Sequence, residues 1–197
     1  MEIGKYWKVL SMTRNLKTKR IAIIGWGLWV LALSFHALAD NNTLQGFTES
    51  KLGADVAAYD TELFNLLSNE KNIIDNKNYY LKDFATLFDT LLRQAQAAQT
   101  KHAAALLKKR LLSGPASKSR AIKDSATKKM YIYYDACQAH ACDETKLGLL
   151  YEAGAKQMLA KLTVRGKAEF LGELTPPEKG LLNYLQSENA KRLPNEK

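Results

Sequence analysis

The chain has 197 residues, with 29 Lys and Arg against 20 Asp and Glu, a formal charge of +9, and 46% apolar against 25% charged residues. Those proportions belong to an ordinary globular protein and exclude a disordered polycation, a collagen-like fibre and a protein that crosses a membrane many times. Taken whole, the charge points to nucleic acid; taken by position, it does not.

Met1 to Arg20 carries six bases (Lys5, Lys8, Arg14, Lys17, Lys19, Arg20) against one acid, Glu2, and Ile21 to Phe35 carries no charge. The stretch ends in Ala37-Leu38-Ala39, small residues at the two places a signal peptidase holds, and predicts a secretory signal peptide over 1–39 with cleavage after Ala39. The rival is an uncleaved anchor, since the apolar run approaches the roughly 20 residues that span a bilayer. Cleavage removes six bases and one acid and leaves 23 against 19, or +4 over 158 residues. The expectation is an exported protein with no nucleic-acid partner and no stable membrane anchor. Its charge is local: residues 40–100 hold 5 bases and 9 acids, 101–129 hold 9 bases and one acid, and 130–197 hold nine of each.

Residues 40–54 read as a flexible N-terminal segment, 55–186 as a single α+β domain and 187–197 as a frayed polar tail. Over 55–68, Val56, Tyr59, Leu63, Leu66 and Leu67 recur at helical spacing, and over 79–92 Phe84, Leu87, Phe88, Leu91 and Leu92 do the same. A third helical stretch runs from Ala103 to Leu112 and is stopped by Gly114-Pro115. The pattern then turns to strands: Ser119 to Lys123, Met130 to Ala136, Lys146 to Glu152 paired with Gln157 to Arg165 around Gly154, and Ala168 to Leu171 ending at Gly172. Thr175-Pro176-Pro177-Glu178 is a capping box that opens a last helix to about Leu185. The prediction is an antiparallel sheet of about five strands flanked by helices.

Both cysteines lie within six residues, Cys137-Gln138-Ala139-His140-Ala141-Cys142. In an oxidising compartment thiols this close most often pair with each other. Closing so short a ring contributes about 2 kcal/mol on the chain-entropy model, enough to shape a protruding loop but not to hold a domain together. A closed ring presents His140 outward, and Asp135, Asp143 and Glu144 flank it as an acidic collar. Three other readings stand beside this one. A metal on Cys137, His140 and Cys142 needs reduced thiols and a fourth ligand; a redox pair uses C-x-x-C; a bare staple leaves His140 incidental. The mature chain has only one other histidine, His102, and no nucleophile triad, phosphate-binding glycine loop or metal-binding signature, so neither an enzyme nor a cofactor or metal is expected. A rigid exposed loop fits a binding device, because closure lowers the ordering cost of docking.

Gly114-Pro115-Ala116-Ser117, the run from Tyr131 to Cys142, and Phe170-Leu171-Gly172-Glu173-Leu174-Thr175-Pro176 with its Leu-rich helix resemble the inhibitor of vertebrate lysozyme (Ivy) family. Its members carry a C-K-P-H-D-C loop after a tyrosine-rich strand and a later W/F-L-G-x-x-x-P element. The likeness covers roughly residues 60–185, and only the loop and the Phe170 to Pro176 element are specific. The resemblance implies a periplasmic protein of a Gram-negative bacterium, in which a loop closed by Cys137 and Cys142 enters the active-site cleft of c-type lysozyme and His140 hydrogen-bonds the catalytic carboxylates. Three loop positions depart from the family: Gln138 replaces Lys, Ala139 replaces Pro and Ala141 replaces Asp. Without the proline the free loop has more conformations to lose, a cost of about 0.4–1 kcal/mol. The same resemblance leaves an endogenous lytic transglycosylase as an alternative target. A different class of function, a non-inhibitory envelope-binding module, would use the basic 101–129 stretch on anionic glycan or lipid.

Overall fold

The computed structural model describes residues 46–115 and 117–187. The signal segment 1–39, its cleavage position, residues 40–45 of the lead-in and the tail beyond Ser187 lie outside the described residues.

Six strands, β1 (Phe47–Ser50), β2 (Arg120–Asp124), β3 (Met130–Cys137), β4 (Thr145–Glu152), β5 (Gln157–Val164) and β6 (Lys167–Leu171), form one antiparallel sheet in which neighbours in sequence are neighbours in space. Three helices, α1 (Leu63–Leu67), α2 (Lys82–Leu92) and α3 (Lys101–Leu111), lie between β1 and β2 in the chain, and α4 (Pro176–Leu185) follows β6. The fold is α+β. From β2 to α4 the elements stand within a residue or two of where the periodicity puts them.

Two features differ from the sequence reading. The sheet gains a sixth strand within 40–54, where β1 pairs from Phe47 opposite Asp124 to Ser50 opposite Ala121. Four residues with one fully buried side chain, Phe47, are too few to display a period of two. The helix expected over 55–68 is two pieces, a 3-10 turn Ala54–Tyr59 and then α1. Between them the chain is extended at Glu62, which bridges to Lys118; the break also leaves the Tyr59 carbonyl free to accept from the Tyr134 hydroxyl at 2.7 Å.

Strand alternation sorts the core onto two faces. Ile132, Tyr134 and Ala136 of β3 pack with Leu147, Leu149 and Tyr151 of β4 beneath Phe84, Phe88 and Leu92 of α2 and Leu107 and Leu111 of α3. Tyr131 and Tyr133 face the other way, against Leu150, Leu159 and the Leu181, Leu182 and Leu185 stripe of α4. The central strands are therefore covered on both sides, and their burial cannot slip by one residue without exchanging the faces. Tyr59, Phe84 and Tyr151 stack with centroids 4.9–6.0 Å apart, contacts worth about 0.5–1.5 kcal/mol each beyond their area.

The capping box at Thr175 ties α4 to the sheet. One Glu178 oxygen accepts from the Thr175 backbone N–H at 2.7 Å and its hydroxyl at 2.8 Å, while the other accepts from the buried Tyr131 hydroxyl at 2.7 Å. Burial works to raise the Glu178 carboxyl, but these three donors and the charge of Lys129 outweigh it and hold the group below its ordinary value. Burial above all, with the Glu178 bond added, pushes the Tyr131 hydroxyl well above the usual tyrosine range.

Candidate functional site

The β3–β4 hairpin ends at the Cys137–Lys146 pair, and residues 138–144 connect the strands. Cys137 and Cys142 are joined by a disulfide with their Cα atoms 4.8 Å apart. Inside the ring the Ala141 N–H donates to the Gln138 carbonyl at 3.0 Å, and the Ala141 carbonyl accepts from the N–H groups of Glu144 at 3.1 Å and Thr145 at 2.9 Å. The Gln138 N–H continues the ladder to the Thr145 carbonyl at 2.9 Å. These four bonds order the loop backbone from within.

His140 holds the third place of the turn 138–141 with φ of +59°. That is the left-handed region, uncommon for side chains with a Cβ but several-fold enriched in His, Asn and Asp, and it is the place a type II turn reserves for glycine or asparagine. The residue is exposed, and among the described residues nothing bonds its ring. Gln138, Ala139 and Ala141 are half-buried. The structure therefore presents one imidazole at a turn with both nitrogens open.

Two residues outside the ring fix it to the domain. The Ser113 hydroxyl, just past α3, donates to the Arg110 carbonyl at 2.7 Å and accepts from the Ala139 N–H at 3.1 Å. Next to it, Gly114 lies so close to the loop that a Cβ there would stand 2.2 Å from the Cys137 carbonyl oxygen and 3.1 Å from its sulfur. No side chain fits that gap. On the opposite flank the Gly166 N–H of the β5–β6 turn reaches the Glu144 carbonyl at 3.4 Å. Sequence reading took Gly114 as a helix stop and as part of the run that resembles the family, not as a contact of the loop, and missed Ser113; the signal was the Ser-Gly-Pro run, which can mark a turn but not what the turn touches.

The three acids are grouped two and one. Asp143 and Glu144 are exposed on the returning arm of the loop. Asp135 sits on the strand, two residues before Cys137 and so on the same sheet face; it accepts from the Ser117 hydroxyl at 3.2 Å and lines a small cavity, about 220 Å³, with Tyr133, Lys146 and Gln186. Lys146, two residues beyond Glu144, gives this side a positive charge. Burial first, and then the charge of Lys146, lowers the Lys161 ammonium one strand away.

The basic stretch 101–129 is distributed as well. Lys101, Lys108, Lys109 and Arg110 ride on α3, while Arg120 and Lys123 are on β2 and Lys128 and Lys129 close the β2–β3 turn. Lys108 pairs with Asp89 at 2.8 Å, Arg120 with Glu49 and Lys129 with Glu152 at 3.2 Å. Three of the nine bases of this stretch are held in ion pairs across different elements. His102 is exposed on α3. Among the described residues no group of three His, Cys, Asp or Glu side chains is placed to hold a metal, and both thiols of the candidate triad are bonded to each other.

The Phe170 to Pro176 element is scaffold rather than site. Gly172 takes a φ of +88°, donates its N–H to the Gln94 side chain at 2.9 Å and would set a Cβ 2.8 Å from the Met158 carbonyl, so it turns the chain from β6 toward α4 against the end of α2. Compared with family models, curated proteins and solved structures, the chain gives no match.

Proposed function

We propose that this chain is an exported, periplasmic inhibitor of c-type lysozyme that acts by inserting His140 into the enzyme's active-site cleft. The observation that carries the reading is the presentation of His140: exposed, at φ +59°, with an unbonded ring, on a turn closed by the Cys137–Cys142 disulfide. The motif likeness to the Ivy family supplies the target class.

The chemistry suits the target. A retaining glycosidase of the lysozyme type works with two carboxyl groups about 5 Å apart. An imidazole has two nitrogens pointing apart, and when protonated it donates to both carboxylates through charge-assisted bonds roughly twice as strong as neutral ones. Such a ring would hold both the acid and the nucleophile and occlude the sugar. The ring closure, the Ser113 anchor and the Gly114 contact reduce the ordering cost of docking, which offsets part of what the missing loop proline would have contributed. Asp143 and Glu144 offer local attraction to an enzyme that is itself basic. Among the departures from the family loop, Ala139 and Ala141 are half-buried and present no charge to a partner.

The test is a turbidity assay on bacterial cell walls with c-type lysozyme, comparing the wild type with His140→Ala, beside a parallel assay with a lytic transglycosylase. Inhibition of lysozyme by the wild type and not by the variant is the expected result. Inhibition confined to the transglycosylase moves the target to that enzyme, and equal behaviour of the two proteins sinks the reading. The envelope-binding alternative is disfavoured by the pairing of Lys108, Arg120 and Lys129 with acids; it predicts binding that collapses with moderate salt.

A further inference from the structure

The helical layer contains a groove that neither the disulfide loop nor the sheet explains. It runs between α1, α2 and α3, has a volume of about 890 Å³ and exposes Phe64 on α1 and Ala104 and Leu112 at α3, over the buried Leu67 and Leu92. Its origin is compositional. Residues 103–105 at the start of α3 are all alanine, and Ala104 and Ala105 line the groove with methyl groups where larger side chains would have closed the space. Phe64 is turned out of the core at 39% exposure while its neighbours Leu63, Leu66 and Leu67 are buried. An aromatic ring left beside an open apolar channel keeps apolar surface in water that a ligand would cover.

The rim carries an excess of positive charge. Arg93, Lys101 and Lys109 border the groove, and its only carboxylate, Asp89, is already held by Lys108 at 2.8 Å. Lys101 and Lys109 have no hydrogen bond or ion pair among the described residues. Lysine stems lie along apolar surface while the ammonium stays in water, so the arrangement is an apolar floor with cations at its edge. Its volume falls within the roughly 300–1,000 Å³ of small-ligand sites.

We propose that this groove binds a free fatty acid: the acyl chain covers Phe64, Ala104 and Leu112, and the carboxylate meets one of the two rim lysines, Lys101 or Lys109, which stand about 12 Å apart along α3. The site is independent of the inhibitor reading, and each stands or falls alone.

The experiment is calorimetric titration of the intact mature protein with laurate, kept below its micelle concentration, and with dodecanol, which has the same chain and no charge. Wild type is expected to bind laurate saturably at one site and at least tenfold more tightly than dodecanol. Lys101→Gln/Lys109→Gln is expected to abolish that preference, and Phe64→Glu to abolish both while leaving inhibition by His140 unchanged. Circular dichroism checks that the variants are folded; should Phe64→Glu unfold, the lysine pair decides alone. No saturable binding, equal binding of laurate and dodecanol, or a preference unaffected by the lysine substitutions overturns the proposal. So does self-association that Phe64→Glu abolishes without any laurate binding, which would assign the face to a second copy.

Discussion

Two loops of this protein present exposed residues at their tips, and they are held by different forces. The β3–β4 loop offers His140 from a covalent ring backed by Ser113 and Gly114. The α1–α2 loop offers Ile73 and Ile74, at 100% and 93% exposure, from a network of asparagines. In that network Asn72 donates to Asn65 at 3.2 Å, Asn78 donates to Asn69 at 3.0 Å and Ile74 donates its N–H to the Asn72 side chain at 2.8 Å. Each loop uses a residue at positive φ, His140 and Asn76 respectively, to reverse the chain. The difference is durability. Solvent-exposed hydrogen bonds contribute about 0.5–1.5 kcal/mol net and open with local fluctuation, whereas the disulfide opens only to a reductant. The held geometry carries a polar ring and the yielding one an apolar tip.

Breaking the ring is the strongest way to erase that contrast. Cys137→Ser/Cys142→Ser should lower stability by about 2 kcal/mol, suppress inhibition, and make residues 138–144 as sensitive to limited proteolysis as 69–78; unchanged inhibition would show that hydrogen bonds alone order the loop. Gly114→Ala should follow, at about 1–3 kcal/mol of destabilisation, because its Cβ would sit 2.2 Å from the Cys137 carbonyl. Its signature is a larger loss of inhibition than of thermal midpoint, read by assaying both on one preparation.

Glu178→Gln tests the scaffold under both loops and should cost about 1–2 kcal/mol near neutral pH through the weakened capping box and Tyr131 bond. The folded carboxyl lies below its ordinary value of 4.5. A depressed carboxyl contributes its stability in full above the unfolded value and loses it as pH falls through the folded one, so the wild-type unfolding midpoint should drop as the pH is lowered past the ordinary carboxyl value and the variant's should drop less. Parallel curves would mean that another group controls acid unfolding. The smallest effect is expected at the other tip: Ile73→Ser/Ile74→Ser should leave stability within about 0.5 kcal/mol and inhibition unaltered, as chemical denaturation and the turbidity assay would show.

Much of the scaffold was legible because its signals are local. The Met130 to Ala136 strand announces itself by β-branched and aromatic residues, and the capping box at Thr175 by four consecutive letters. The β1 strand was hidden because Phe47–Ser50 owes its conformation to Arg120–Asp124, more than 60 residues later. The helix over 55–68 was over-read because periodicity continues across Asp60–Glu62 while the tertiary contacts of Tyr59 and Glu62 break it. At the candidate site, the cysteine spacing and His140 could be read directly. Ser113 and Gly114 could not, since what they touch is set by where α3 ends against β3, a relation of packing that no spacing encodes.

The central claim is that one imidazole on a closed loop carries recognition of the muramidase. Calorimetric titration of c-type lysozyme with wild type and with His140→Ala tests it most directly. Losing a desolvated ring between two carboxylates should cost about 2–5 kcal/mol of binding, at least a 30-fold rise in Kd, with the thermal midpoint of the variant unchanged. Equal affinity for the two proteins, or heatless mixing of lysozyme with both, would contradict it.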